Sequence, residues 1–246
     1  MRETLGRLKW PGGTRPATRQ GLPACTALLL VALVLTAPLL LGQSQASGSV
    51  TGNVRLTTRV RGTPLPANAY QPRGVGRQAA GGVPEIRNVV VYLRGASARG
   101  PLPAATHQIR QEGEAFHPRV LAITRGSSVS FPNADPFFHN VFSLSSAATF
   151  NLGRFPQQQT RVREFTKPGL IKVYCQIHSH MSATILVLDH PYFVVPELDG
   201  AFTLDGVPTG RYTLVGWHER VGERTSPVEI AAGARVSVDL ALPVED

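Results

Sequence analysis

Apolar and polar residues alternate along short stretches of this chain, which is the pattern of a β-strand with one buried face. The alternation is clearest near the C-terminus, where Val236, Val238, Leu240 and Leu242 share one parity. Beyond residue 46, no long stretch keeps apolar residues at the three- and four-residue spacing of an amphipathic helix. Strands are predicted near the two ends of that part of the chain, over 49–56, 88–93, 200–204, 211–217 and 235–242.

The middle of the chain, residues 103–190, reads as a further series of short strands separated by glycine and polar turns. This spacing, without any helical stretch, favours an antiparallel β-sandwich. In the segment LIKVYCQ, Ile171, Val173 and Cys175 have the same parity. If the two aliphatic side chains face the core, the thiol of Cys175 also points inward at the end of its strand. The chain is therefore predicted to be all-β.

The first 46 residues differ in composition from the rest. Residues 1–21 carry five basic side chains and one acidic side chain, residues 24–41 are uncharged and mostly apolar, and Ser44-Gln45-Ala46 offers small residues after them. This is the pattern of a secretory signal peptide, with cleavage predicted after Ala46; an uncleaved membrane anchor is the alternative. We therefore expect the protein in the periplasm or outside the cell.

Charge narrows the classes of partner. Of the 246 residues, 25 are Lys or Arg and 16 are Asp or Glu, and the net charge of +9 falls when the basic leader is removed. The arginines are scattered singly, without the interleaved aromatics of a nucleic-acid surface, so nucleic acid is not an expected partner. A mildly positive body can still steer an acidic partner. The stretch 61–87, rich in glycine, proline and arginine, is predicted to be a disordered loop.

The segment YCQIHSHM, residues 174–181, holds the only cysteine and the only methionine beyond residue 25. A mature exported chain could form no internal disulfide with Cys175 alone, and a lone exported thiol is open to oxidation unless it is buried or bound. Cys175, His178 and Met181 offer a thiolate, an imidazole and a thioether from one short loop. Together with a second imidazole, this is the ligand set of an electron-transfer copper site.

His139 is the leading candidate for the second imidazole, because it follows a polar turn and opens a predicted strand. Its neighbours Phe137, Phe138 and Phe142 would keep water away from a metal and help to set its redox potential. His180 is either a replacement for the methionine as a ligand or a solvent-exposed side chain beside the metal. Zinc is the alternative metal, but a thioether is a poor zinc donor.

At these residues the sequence resembles the cupredoxins, the small blue copper proteins. The pair His139-Asn140 is followed by Cys-x-x-His-x-x-Met at Cys175, His178 and Met181, which is similar to the short ligand loop of amicyanin. The preceding segment FHPRVLAITRGSSVSFPNAD is also similar to that family. The resemblance implies one type 1 copper ion held by the two histidines and the cysteine, with the methionine axial and Asn140 bracing the loops.

The two ends of the mature chain resemble a carboxypeptidase regulatory-like domain, a small transthyretin-like β-sandwich. The similar segments are GSVTGNVRL and NVVVYLRG early, then DGAFTLDGVPTGRYTLVGWHE with Pro208, Gly210 and Tyr212 late. The resemblance implies a Greek-key cupredoxin sandwich inserted into a second, smaller sandwich. The segments expected are the signal peptide 1–46, the first part of the smaller sandwich 47–102, the cupredoxin domain 103–190 and the second part 191–246. Trp217-His218-Glu219 is either a partner-facing patch or a half-buried strand end.

The function expected from these residues is the transfer of single electrons between periplasmic redox proteins. An enzyme is not expected, because a trinuclear copper cluster needs more histidines than the seven present, and Cys175 has no histidine beside it in the sequence. The alternative is a periplasmic copper carrier, or a binding module that copper merely stabilises.

Overall fold

The chain folds into β-strands throughout the part that the computed structural model describes, residues 46–57 and 84–242. One short 3₁₀ helix, Glu85–Asn88, is the sole helix among these residues. The predicted all-β class is therefore confirmed. No helix in the described ranges is long and apolar enough to cross a membrane. The predicted signal peptide, apart from Ala46, and the predicted loop up to residue 83 lie outside the described residues.

The strands are numbered in chain order. They are β1 (Ser47–Leu56), β2 (Val89–Arg94), β3 (Thr106–Gln108), β4 (Arg110–Gln111), β5 (Phe116–His117), β6 (Val120–Thr124), β7 (Ser128–Pro132), β8 (His139–Ser145), β9 (Ala148–Phe155), β10 (Thr160–Glu164), β11 (Gly169–Tyr174), β12 (Ser182–Leu188), β13 (Phe193–Val194), β14 (Ala201–Pro208), β15 (Gly210–His218), β16 (Gly222–Ile230), β17 (Arg235–Ser237) and β18 (Leu240–Leu242).

The middle of the chain forms one sandwich, which we call the inner sandwich. A five-stranded sheet has the order β6-β12-β11-β8-β9, a three-stranded sheet has the order β10-β7-β3, and β4 pairs with β5 in a hairpin. Its core combines aliphatic and phenylalanine side chains with Cys175 and Met181. Most of its strand pairs are antiparallel, as the spacing favours, but β12 pairs with β6, and β7 with β3, in parallel. Parallel pairing needs a long connection, and each of these pairs is separated by other strands.

Strand β11 places the cysteine as its parity predicts. Ile171 and Val173 are fully buried, and Cys175, directly after the strand, is only 2% exposed. Strand β9, in contrast, was not predicted from the sequence. Its half-buried Ala148, Phe150 and Leu152 nevertheless alternate with exposed residues and pack against the core.

The outer sandwich is built from both ends of the described chain. One sheet has the order β13-β2-β15-β16, and the other joins β14, β1 and β17, with β18 also on β1. The single strand predicted over 235–242 is in fact two, although its alternation of buried and exposed residues is as expected. The ladder is interrupted where Asp239 Oδ1 accepts the backbone N–H of Asn53 at 2.9 Å in place of a backbone carbonyl.

The two sandwiches share an apolar contact and a buried carboxylate. Val90 and Trp217 of the outer sandwich pack with Val120, Leu186 and Leu188 of the inner one.

Glu219, just after β15, has a side chain that is only 6% exposed and ion-pairs with Arg119 and Lys172. It also accepts a hydrogen bond from Thr184 Oγ1 at 2.8 Å. His218 beside it is fully buried. The idea of a partner-facing patch over Trp217-His218-Glu219 is therefore wrong, because these side chains are turned toward the protein.

Candidate metal centre

Three of the predicted ligands lie together at one end of the inner sandwich. His139 opens β8 and is fully buried, Cys175 follows β11 and is 2% exposed, and His178 lies in the loop after it, half-buried. Their ligand atoms form the one group of three or more His, Cys, Asp or Glu side chains, among the described residues, that is close enough to hold a metal ion. The histidine and the cysteine are 36 residues apart in sequence, so the fold itself brings them together.

The separations between the donor atoms fit one bound ion. Cys175 Sγ lies 3.8 Å from Nδ1 of His139 and 3.8 Å from Nδ1 of His178, and the two nitrogens are 3.1 Å apart. With metal distances of about 2.1 Å to imidazole and about 2.3 Å to thiolate, ligands of one ion lie about 3.4–3.6 Å apart for two nitrogens and about 3.6–3.8 Å for nitrogen and sulfur. The observed triangle is within a few tenths of an ångström of that requirement.

Met181 closes the loop that carries two of the donors. Its backbone N–H donates to the carbonyl of His178 at 3.0 Å, and its own carbonyl accepts the N–H of Cys175 at 3.3 Å. Its side chain is 1% exposed and belongs to the same core cluster as the cysteine. The loop is therefore a closed turn whose thioether is buried in the core cluster that also contains the thiol.

Asp135 fixes the orientation of the His139 ring. Its Oδ2 lies 2.8 Å from Nε2 of the histidine, and its carboxylate accepts backbone N–H bonds from Gly113 at 2.7 Å and Glu114 at 3.0 Å. A carboxylate on one ring nitrogen holds the proton there, which leaves the other nitrogen free to bind a metal. Nδ1, the nitrogen beside the thiol, is consequently the one placed to bind a metal.

The electrostatics of the site favour a thiolate. Burial acts to raise the pKa of the Cys175 thiol, but the contact with His139 and the N–H groups of Asn140, His178 and Ile177 outweigh it and lower the pKa from 9.0 to about 6. The thiolate is the form of cysteine that binds metals. Because the fold lowers the pKa of the thiol, less free energy is needed to deprotonate it when a metal binds.

The neighbouring ionisable groups are shifted in complementary directions. Burial lowers the pKa of His139, but its contacts with Cys175 and Asp135 raise it overall. Burial raises the pKa of Asp135, but the N–H of Glu114 and the ring of His139 lower it overall. Without a metal, the carboxylate, the imidazolium and the thiolate therefore stabilise one another in a row.

Asn140 connects the two ligand-bearing segments. Its Nδ2 donates to Asn151 Oδ1 at 2.8 Å and to the carbonyl of Gly153 at 2.9 Å, both on β9. Its Oδ1 accepts the backbone N–H of Gln176, inside the ligand loop, at 3.4 Å. The side chain thus has the contacts of a brace between β8, β9 and the loop.

The aromatic neighbours of the site differ from the prediction in part. Phe137 packs against both imidazoles, with its ring centroid 5.2 Å from that of His139 and 5.4 Å from that of His178. Phe138, in contrast, is 55% exposed, and Phe142 packs against Tyr174, with ring centroids 5.9 Å apart. The structure therefore gives one of the three phenylalanines contacts with the imidazole rings.

His180 lies at the outer side of the ligand loop. Its Nε2 is 3.3 Å from Oε2 of Glu114, in the turn between β4 and β5. The same turn donates the backbone N–H groups that hold Asp135. It therefore contacts both the carboxylate behind His139 and a residue of the loop that carries Cys175. Sequence reasoning missed both acidic residues. Asp135 could have been considered, because it precedes His139 by four residues in a polar turn, whereas no local pattern marks Glu114.

No protein-family model matches the chain, and no curated protein is similar to it. Three similar solved structures are a copper-containing nitrite reductase from Thermus scotoductus SA-01, with 30% identity over 38% of this chain and TM-score 0.32; a purple cupredoxin from Nitrosopumilus maritimus, with 22% identity over 33% and TM-score 0.31; and a reduced amicyanin variant, with 19% identity over 34% and TM-score 0.32. The similarities cover 24%, 99% and 82% of those chains respectively. This chain therefore spans about a quarter of the nitrite reductase.

Proposed function

We propose that the protein is an exported copper protein that carries single electrons between redox partners. The observation that carries this proposal is the triangle of Cys175 Sγ and the Nδ1 atoms of His139 and His178, preformed at the spacing of ligands to one ion. Copper held by this set supplies one-electron redox chemistry. The residues of the chain hold the ligands in place, exclude water from the buried side and keep the thiol deprotonated.

The chemistry of the donors favours copper over zinc. Two imidazoles and a thiolate with a weak thioether are the ligands of blue copper sites, whereas structural zinc sites prefer more thiolates or harder donors. We propose Met181 as the fourth residue that would hold the ion, since its loop closes on the cysteine and its side chain is buried in the same cluster. Ligands fixed by packing and by Asn140 need little rearrangement between two oxidation states.

We propose electron transfer without catalysis. Cys175 is followed by Gln176, so the chain lacks the adjacent histidine through which copper nitrite reductases pass an electron onward. A copper carrier is the second candidate. The observation that favours a carrier is the half-buried His178, because a ligand that solvent can reach makes metal exchange easier. We further propose that the outer sandwich is a regulatory-like domain interrupted by the inner one, and that the leader directs the mature protein to the periplasm or outside the cell.

The proposal is tested by loading the purified full chain with copper. We expect one copper ion per chain and an intense visible absorption from thiolate to Cu(II), which reduction removes and oxidation restores. A colourless cuprous site that exchanges its metal rapidly would instead support the carrier.

Exchanging the axial ligand should change the potential without removing the metal. We expect Met181→Gln to retain copper and to have a lower reduction potential, because a harder oxygen donor favours Cu(II). The matched control is His180→Ala, which removes a neighbouring loop side chain and should leave the visible absorption and the potential unchanged. If the glutamine variant behaves like the parent and the alanine variant does not, His180 is the axial ligand.

Removing the carboxylate behind His139 should weaken metal binding. We expect Asp135→Asn to lower copper affinity by about 10–100-fold, the usual effect of losing such a support for a metal-bound histidine. A competition titration with a chelator measures this. The control is Glu112→Gln in the neighbouring turn, since Glu112 ion-pairs with Arg110 at the surface and its carboxylate contacts none of the ligands. Equal affinities for the parent and the asparagine variant would show that the carboxylate has no role in binding.

A further inference from the structure

Four cations without carboxylate partners lie on β9, on β10 and in the turn after β10 of the inner sandwich. Several arginines in the described ranges form ion pairs, for example Arg94 with Glu223 and Arg211 with Glu229. In the segment from β9 to the turn after β10, no carboxylate pairs with the cations. These cations, which we call the cationic edge, are Arg154, Arg161, Arg163 and Lys167. One acidic residue, Glu164, lies in the same segment.

The cationic edge follows one open side of the inner sandwich. Strand β9 is the last strand of the five-stranded sheet, and β10 is the last strand of the three-stranded sheet. The two edges face each other, because Arg161 lies over the ring of Phe155 at 5.3 Å and Arg163 lies over the ring of Phe150 at 5.8 Å. Both phenylalanines belong to β9, so the arginines of β10 reach across the opening with their charged groups at the surface.

One part of this edge, at Arg154 and Arg161, adjoins the candidate metal centre. In the pairing of β8 with β9, His139 is opposite Phe155, and Asn140 is opposite Arg154. Arg161 therefore covers the residue paired with a proposed ligand, and Arg154 is paired with the residue that braces the ligand loop. A partner whose acidic groups bind here would be placed beside the ligand-bearing end of the sandwich.

We propose that the cationic edge is the docking surface for an acidic protein, the redox partner of this chain. The inference rests on the proposed electron transfer for the identity of the partner, and on the unpaired charges for its chemistry. Clustered charges of one sign raise the local concentration of an oppositely charged partner and speed association, whereas scattered ion pairs do not. A carboxylate-rich surface is the chemistry that these guanidinium and ammonium groups recognise.

A different role for the same cations is to protect two open sheet edges. Charged side chains on edge strands prevent pairing with other chains, so their removal would cause self-association without any change in partner binding. Protection of the edges does not require the cations to lie beside the metal centre. Side chains of either charge at positions 154 and 163 would serve it. Reversing the charges separates the two roles, because a negative edge still resists self-pairing but repels an acidic partner.

The test uses a polyglutamate peptide as an acidic probe with the full chain, at low ionic strength. Binding is measured by titration, and the binding surface by amide chemical-shift changes. We expect Arg154→Glu/Arg163→Glu to weaken binding about tenfold and the shifts to centre on β9 and β10. The control, Arg55→Glu/Arg235→Glu, changes the net charge equally on the outer sandwich, where both arginines are exposed. It should weaken binding less than about twofold.

Equal weakening in both variants, or shifts centred elsewhere, would overturn the docking surface. So would unchanged peptide binding in the reversed variant. None of these readouts requires copper, so a failure of the metal assignment would not imitate a failure of the docking surface. With copper bound, oxidation of the reduced protein by anionic ferricyanide should slow in the reversed variant and not in the control. The peptide result could hold while ferricyanide oxidises the reversed variant and the control equally fast. The edge would then bind acidic proteins without a role in electron transfer, which contradicts a redox partner at this surface.

Discussion

Replacing Cys175 by serine will abolish the intense visible absorption of the copper-loaded protein. The absorption arises from a thiolate bound to Cu(II), and a hydroxyl group provides neither that ligand nor a low pKa. Serine is only slightly smaller than cysteine. It should therefore fit the buried position beside Val173 without loss of the fold. The measurement is the absorption spectrum after copper loading, alongside circular dichroism of the same sample.

The control for this variant is a second position in the same loop. Gln176→Ala leaves all four proposed ligands in place and removes only an exposed side chain, so its absorption should equal that of the parent. An unchanged spectrum in Cys175→Ser would reject the assignment of the ligand outright. Loss of the absorption in both variants would instead indicate that the loop needs its full structure to form the site.

Replacing Glu219 by alanine will lower the stability of the whole described unit. This carboxylate is the buried member of a group that contacts Arg119, Lys172 and Thr184 across the two sandwiches. Losing hydrogen bonds to a buried charge costs several kcal/mol, and since both cations remain partly in water we expect about 2–3 kcal/mol less free energy of unfolding. Denaturant unfolding at neutral pH measures the change.

The same carboxylate predicts how stability depends on pH. Burial raises the pKa of Glu219, but its bonds with Thr184 and Lys172 and the charge of Arg119 lower it overall, below 4.5. A group with a lowered pKa stabilises the folded state above its unfolded value, and this contribution is lost as the pH falls through the folded value. The difference between Glu219→Gln and the parent should therefore shrink below pH 4.5.

A surface ion pair supplies the control. Arg211 and Glu229 also pair, but their side chains are 83% and 68% exposed, so Glu229→Gln should change stability by at most about 0.5 kcal/mol. If the Glu219 and Glu229 variants lose the same stability, the buried group does not hold the sandwiches together.

The sequence allowed the position of the thiol to be predicted, because side-chain parity within one strand is a local property. Ile171 and Val173 determine where Cys175 points whatever the sheets around it. The supports of the ligands are different, since they depend on contacts between segments distant in sequence. Glu114 reaches the site through a turn between β4 and β5 and carries no pattern of its own. Glu219, which joins the two sandwiches from the end of β15, carries none either.

The strands that sequence patterns missed or misjudged show the same limit. Strand β9 alternates half-buried and exposed residues, but this local pattern does not show that the strand holds Asn140. The interruption between β17 and β18 depends on one side-chain bond from Asp239 to a distant strand. Parallel pairing of β6 with β12 likewise depends on the path of the chain between them, which the alternation within each strand does not determine.

The most direct test of electron transfer is voltammetry of the copper-loaded full chain adsorbed on an electrode. We expect a single reversible one-electron wave that persists over repeated cycles, with one copper ion per chain still bound at the end. Absence of a wave, or release of copper when the protein is reduced, would contradict the redox role and leave a carrier in its place.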